Sequence, residues 1–108
     1  MKPTATTISA AASGVIPADT RCSITDADAV GAYPISTFTW MIIYKEQNYS
    51  DRSKEQAQAT LDLVRFILSD EAQAITSEVN YAPLPIKAKE LSLTNLKTVT
   101  YDGVALLQ

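Results

Sequence analysis

The run Gly31-Ala-Tyr-Pro-Ile-Ser-Thr-Phe-Thr-Trp-Met-Ile-Ile-Tyr-Lys45 constrains this chain more than any other stretch. Phe38, Trp40, Ile42 and Tyr44 share one parity, and Met41 and Ile43 share the other. A strand that is apolar on both faces belongs in the middle of a covered sheet, with neighbours along both edges. Pro34 fixes φ and disfavours a helical Tyr33, so the tripeptide Tyr33-Pro34-Ile35 leads into that strand in an extended conformation. The spacing therefore predicts a central strand over Phe38–Tyr44. Aromatic residues dominate protein cores, so Tyr33, Trp40 and Tyr44 are expected to pack inside rather than form a ligand platform.

Around this run the pattern is that of an α/β chain. Pro3 suits the first turn of a helix, Ile8, Ala11 and Ala12 give it an apolar face, and Gly14 stops it. A turn, a short strand around Cys22–Ile24 and the loop Thr25–Gly31 follow. After a polar linker, Glu46–Arg52, Ser53-Lys-Glu-Gln56 is a capping-box pattern. Ala57, Leu61, Val64 and Leu68 recur at helical spacing, widened by Thr60, Leu63 and Ile67. Ser69-Asp-Glu restarts a helix whose apolar face is Ala72, Ile75 and Val79, and Pro83-Leu-Pro85 ends it. A short helix is expected over Ile86–Leu91. Asp102-Gly103 marks a tight hairpin in the tail.

Composition removes several classes of function. The 108 residues suit one small domain, and 46% of them are apolar, which excludes a disordered chain. The net charge is −3 and no basic stripe is present, so nucleic-acid binding has no support. Lys87-Ala-Lys89 reads as a solvated face. No histidine occurs, which removes the commonest general base and metal ligand. Cys22 is alone, and in a β-like run without histidine it reads as a partly buried structural thiol. Asp26-x-Asp28-x-x-Gly31 resembles the start of a calcium loop. Its fifth and twelfth positions are Val30 and Thr37, however, so a solvated loop is the better reading and no metal is expected. Asp70 and Glu71 are adjacent and point apart on a helix, where they suit its first turn rather than acid–base work. No nucleophile elbow, phosphate-cradling loop or dinucleotide fingerprint occurs, so the chain is read as non-enzymatic, with no catalytic residue and no cofactor. The amino terminus, MKPTATTISAAASGVIP, lacks the leucine-rich apolar core of a signal peptide.

Three segments resemble one family. AYPISTFTWMIIYKEQ looks like the late segment of the phosphate-binding proteins of ABC transporters, where a Tyr/Trp-Pro-Ile precedes a strand. FILSDEAQAITSEVNYAPLP resembles the closing region that these share with other type II periplasmic binding proteins, with Ala72 and Asn80 standing where the family usually has glycine. KPTATTISAAASGVIPADTRCSITDA is similar to the helix and loop just upstream. The match runs nearly end to end, and the closing motif is shared widely among oxyanion-binding members.

The resemblance implies the C-terminal portion of a two-lobed type II periplasmic-binding-protein-like fold, with a central strand, two to three helices and a C-terminal hairpin. Residues 1–31 would end the second lobe, 32–36 would cross between lobes, and 37–108 would complete the first. Tyr33, Pro34 and Ile35 would form part of the hinge. The family's phosphate contacts lie upstream, so none is assignable here. The implied parent is an extracytoplasmic (periplasmic or cell-surface) solute-binding protein. Its partners would be inorganic phosphate, or another tetrahedral oxyanion, and the membrane subunits of an ABC transporter. The alternative is a stand-alone, non-enzymatic interaction module that reuses this half-fold. Either way, the isolated chain is expected to form a homo-oligomer or swap segments.

Overall fold

The computed structural model describes residues 1–107. Helix α1 (Ala5–Ala11) opens the chain. It is capped reciprocally: the Thr7 N–H donates to Thr4 Oγ1 and the Thr4 N–H donates to Thr7 Oγ1. This capping box places Pro3 before the helix rather than in its first turn, and the helix ends at Ala11, ahead of Gly14.

The second half is helical. Helix α2 (Lys54–Ile67) starts at the expected capping box, with Ser53 Oγ accepting from the Gln56 N–H and Gln56 Oε1 accepting from the Ser53 N–H. Helix α3 (Asp70–Ile75) is capped by Ser69 and runs into a 3₁₀ turn, Thr76–Val79, closed by Asn80 in the left-handed region. That conformation is one asparagine tolerates. Helix α4 (Ile86–Leu96) begins directly after Pro85 and extends beyond the expected Leu91. Lys89 pairs with Asp70, so Lys89 is not part of a wholly solvated face. Strands β1 (Thr100–Tyr101) and β2 (Val104–Ala105) pair antiparallel, Thr100 with Ala105 and Tyr101 with Val104. Asp102 and Gly103 between them both have positive φ, 52° and 76°, as the tightest hairpin turn requires.

Two small cores result. One gathers Leu61 and Val64 from α2 and Leu68 at its C-cap with Leu96 and Val99, and Ile43, Leu84, Leu106 and Leu107 pack against it. The other gathers Ala11, Ala12, Ile24 and Ala32, with Phe38 against it. The division falls between Phe38 and Ile43, inside the run expected to be one strand.

Three expectations are corrected. Phe38–Tyr44 is not a central strand: among the described residues the only sheet is the β1–β2 hairpin, and no neighbour pairs with residues 38–44. A strand exists only through ladder partners, and the chain presents none on either side. Cys22–Ile24 likewise forms no strand, although Ile24 is buried. The third helix does not bury its expected face, because Ile75 and Val79 are both about half exposed, with no layer opposite them.

The chain is also open for its size. Its radius of gyration is 15.8 Å, against about 13 Å for a compact domain of this length. It exposes 7487 Å², against roughly 5900 Å² for a compact monomer of its mass.

Candidate functional site

Part of the surplus surface belongs to residues 36–44, a ribbon with no turn, no bend and no positive φ. Both ends are anchored. At the front, the Tyr33 N–H donates to the Thr7 carbonyl at 2.9 Å and the Asp26 N–H donates to the Pro34 carbonyl at 2.8 Å. Ser36 is buried, and its hydroxyl donates to the Tyr33 carbonyl at 2.7 Å. Tyr33, Pro34 and Ile35 are thus fastened to the core that contains α1, and the Ile35 side chain points to solvent, 77% exposed.

At the far end, the Thr100 N–H donates to the Lys45 carbonyl and the Gln47 N–H donates to the Thr100 carbonyl, each at 2.8 Å. Between these anchors, none of the backbone N–H groups of residues 37–44 donates a hydrogen bond among the described residues. The ribbon contacts the core that contains Ala11 and Ile24 through Phe38 and the core that contains Leu61 through Ile43. Trp40, Met41, Ile42 and Tyr44 lie largely outside, with Ile42 94% exposed. The expectation that Trp40 and Tyr44 are core residues is therefore corrected, since no second layer covers either face. Trp40 is held by its Nε1–H, which donates to the Thr20 carbonyl, and by an edge-to-face contact with Phe38. Tyr44 packs edge-on against Tyr49, 4.6 Å between ring centres.

The polar linker Glu46–Arg52 carries more structure than its composition suggested. The Glu46 carboxylate accepts from the Thr100 hydroxyl and from the backbone N–H groups of Asp102, Gly103 and Asn48. The Thr100 hydrogen bond, aided by these amides, holds the Glu46 carboxyl below its ordinary value of 4.5, against the smaller opposing effect of burial. Because the folded value is depressed, this clamp contributes at pH above 4.5 and is lost as the pH falls through the folded value. The protection of the Asp102 and Gly103 amides, measured against their intrinsic exchange rates at each pH, is accordingly expected to fall upon acidification into that range. In Glu46→Gln the protection should already be low at pH 7 and should show no step; a step of equal size in the variant would assign the clamp elsewhere.

Gln47 is buried, and its Nε2 donates to the Tyr44 carbonyl at 2.6 Å. Its Oε1 has no partner among the described residues. It borders a shallow groove of ≈ 340 Å³ lined by Ile42, Ile43, Tyr44, Gln47, Tyr49 and Thr60. Arg52 lies over the Tyr49 ring and donates to Thr60 Oγ1. The Tyr101 hydroxyl donates to the Arg52 carbonyl at 2.7 Å, tying the hairpin to the start of α2. Nothing in the spacing of this polar run distinguished Glu46 or Gln47 from solvated neighbours; only the fold brings the hairpin turn to them.

Among the described residues no cluster of three or more carboxylates or thiols could hold a metal. Asp26 and Asp28 are both exposed in their loop, and Cys22 is a half-buried free thiol. No helix of the described residues is long and apolar enough to cross a membrane. What the molecule offers is a two-faced apolar ribbon, largely exposed, beside a polar clamp. Comparison with protein-family models, with curated proteins and with solved structures returned no match.

Proposed function

We propose that this chain is the C-terminal portion of an extracytoplasmic solute-binding protein for phosphate, or another tetrahedral oxyanion, serving an ABC-type transporter. The observation that carries the reading is the ribbon: apolar on both faces, yet largely exposed and with none of its backbone N–H groups from 37 to 44 donating a hydrogen bond among the described residues. Such a segment suits the interior of a sheet whose other strands lie on a different stretch of chain. The division of the interior into two clusters, with the break between Phe38 and Ile43, a few residues beyond Tyr33-Pro34-Ile35, suits a chain that leaves one lobe and completes another. In this reading, Tyr33–Ile35 belongs to the crossing between lobes, and closure about such crossings is the usual motion of these receptors.

The ligand itself would be held by residues outside this stretch, so the 108 residues alone are expected not to bind phosphate. Calorimetry should give no heat beyond dilution. The DNA preceding the codon for Lys2 is expected to continue in frame into a strand-and-helix sequence, and its full product should bind phosphate. A stop codon immediately upstream, or micromolar phosphate binding by the 108 residues alone, would overturn the reading.

The second reading is a stand-alone, non-enzymatic interaction module. It is favoured by the lack of any charged residue from Gly31 to Tyr44, which leaves the ribbon free to pair with another chain.

A further inference from the structure

The ribbon combines three properties. Its backbone donors from residue 37 to residue 44 have no partner among the described residues. It carries no charge and no proline between residues 36 and 44, so it lacks the devices by which exposed strands usually avoid pairing. It also lies on a chain whose exposed area, 7487 Å², exceeds that of a compact monomer by about 1,600 Å². A stable interface takes roughly 800 Å² from each partner. The surplus is therefore ample for one association, and a single ribbon pairing with its side chains would use a large part of it.

We infer that in solution the 108-residue chain forms a two-fold dimer through antiparallel pairing of the ribbon with the same ribbon of a second copy. The second copy is the occupant that fits. The neutral ribbon selects no oppositely charged partner, and a two-fold axis matches equal apolar sets on both sides while closing the assembly. Trp40, Met41 and Ile42 are the exposed apolar side chains that lie between Phe38 and Ile43, which already face the two cores. This places the axis at Met41. Met41 then stands opposite its counterpart, Trp40 opposite Ile42 and Phe38 opposite Tyr44. Aromatic and β-branched residues thereby meet across the pair, the combination that contributes most in sheets. The inference uses only the ribbon and its surroundings and is independent of the receptor reading.

Sedimentation velocity tests it on the full chain. A species of about twice 11.7 kDa is expected at concentrations near about 100 μM, dissociating upon dilution. Ile42→Lys alters a side chain that is 94% exposed, so helicity should be unchanged while the dissociation constant rises. The expected rise is at least about tenfold, because the pairing would trap an unpaired ammonium. Met41→Cys in a Cys22→Ser background should form an intermolecular disulfide on mild oxidation, since opposed residues of paired strands lie within disulfide reach. Val15→Cys, at a residue 97% exposed and far from the ribbon in sequence, should not cross-link under the same conditions. A monomer at the highest concentration, a dimer indifferent to Ile42→Lys, open-ended assemblies, or equal cross-linking at positions 41 and 15 would each overturn the proposal.

Discussion

Leu61→Ala is expected to abolish cooperative unfolding of the helical half of this protein. Leu61 is fully enclosed, at 0% exposure, and it is the central side chain of the cluster it forms with Val64, Leu68, Leu96 and Val99. Removing a buried leucine side chain to the β-carbon costs about 2–5 kcal/mol, from lost transfer and from the cavity left behind. An ordinary domain has only about 5–15 kcal/mol in total. This chain has two small cores instead of one and an expanded surface, so a loss of that size removes most or all of what holds α2 against α4 and the hairpin. Urea titration followed by far-ultraviolet circular dichroism should show a sigmoidal transition in the parent chain and a shallow, featureless slope in the variant. Leu63→Ala is the control. Leu63 is 59% exposed on the same helix, and its replacement should change stability by no more than about 0.5 kcal/mol. Equal effects at the two positions would mean that α2 is packed on a different face.

The second large effect concerns Gln47, where alanine and methionine should behave differently. The side chain is 1% exposed, one end donating to the Tyr44 carbonyl and the other, Oε1, without a partner among the described residues. Alanine would open a cavity and release the tie to Tyr44, at a cost of about 2–4 kcal/mol. Methionine has nearly the same length and volume. It also loses the tie to Tyr44, but it removes a buried acceptor whose desolvation costs about 1–3 kcal/mol. The methionine variant should therefore lie within about 1 kcal/mol of the parent, on either side. Denaturant midpoints of the three proteins decide the matter. If methionine is as harmful as alanine, the amide oxygen has a stabilising partner after all.

What could be read from residue order was whatever is decided within a few positions. Ser53 and Gln56 form their reciprocal cap because both partners lie within one turn, and Ala57, Leu61, Val64 and Leu68 face inward because their spacing matches the helix. Asp102 and Gly103 turn the hairpin because they tolerate positive φ. Features that depend on distant chain were misread or missed. The ribbon has the sequence of a buried strand, but its partners are not among these residues, so it lies bare. Leu63 was expected to widen the buried stripe of α2, and Ile75 and Val79 to bury the face of the helical turn after it. All three are outside for the same lack of an opposing layer. In the site, the anchoring of Tyr33 and Pro34 to α1 has no local signal. Neither has the clamp at Glu46, whose hairpin ligands come from more than fifty positions along the chain.

The ribbon touches one interior through Phe38 and the other through Ile43, and four residues lie between those two footholds. A tilt of one half against the other can be absorbed by the torsions of residues 39–42 without withdrawing either foothold. Among the described residues the backbone of residues 39–42 makes no hydrogen bond. Such a tilt would therefore be resisted by side-chain ties, such as the Asn95 amide donating to the Ala18 carbonyl, rather than by the ribbon itself.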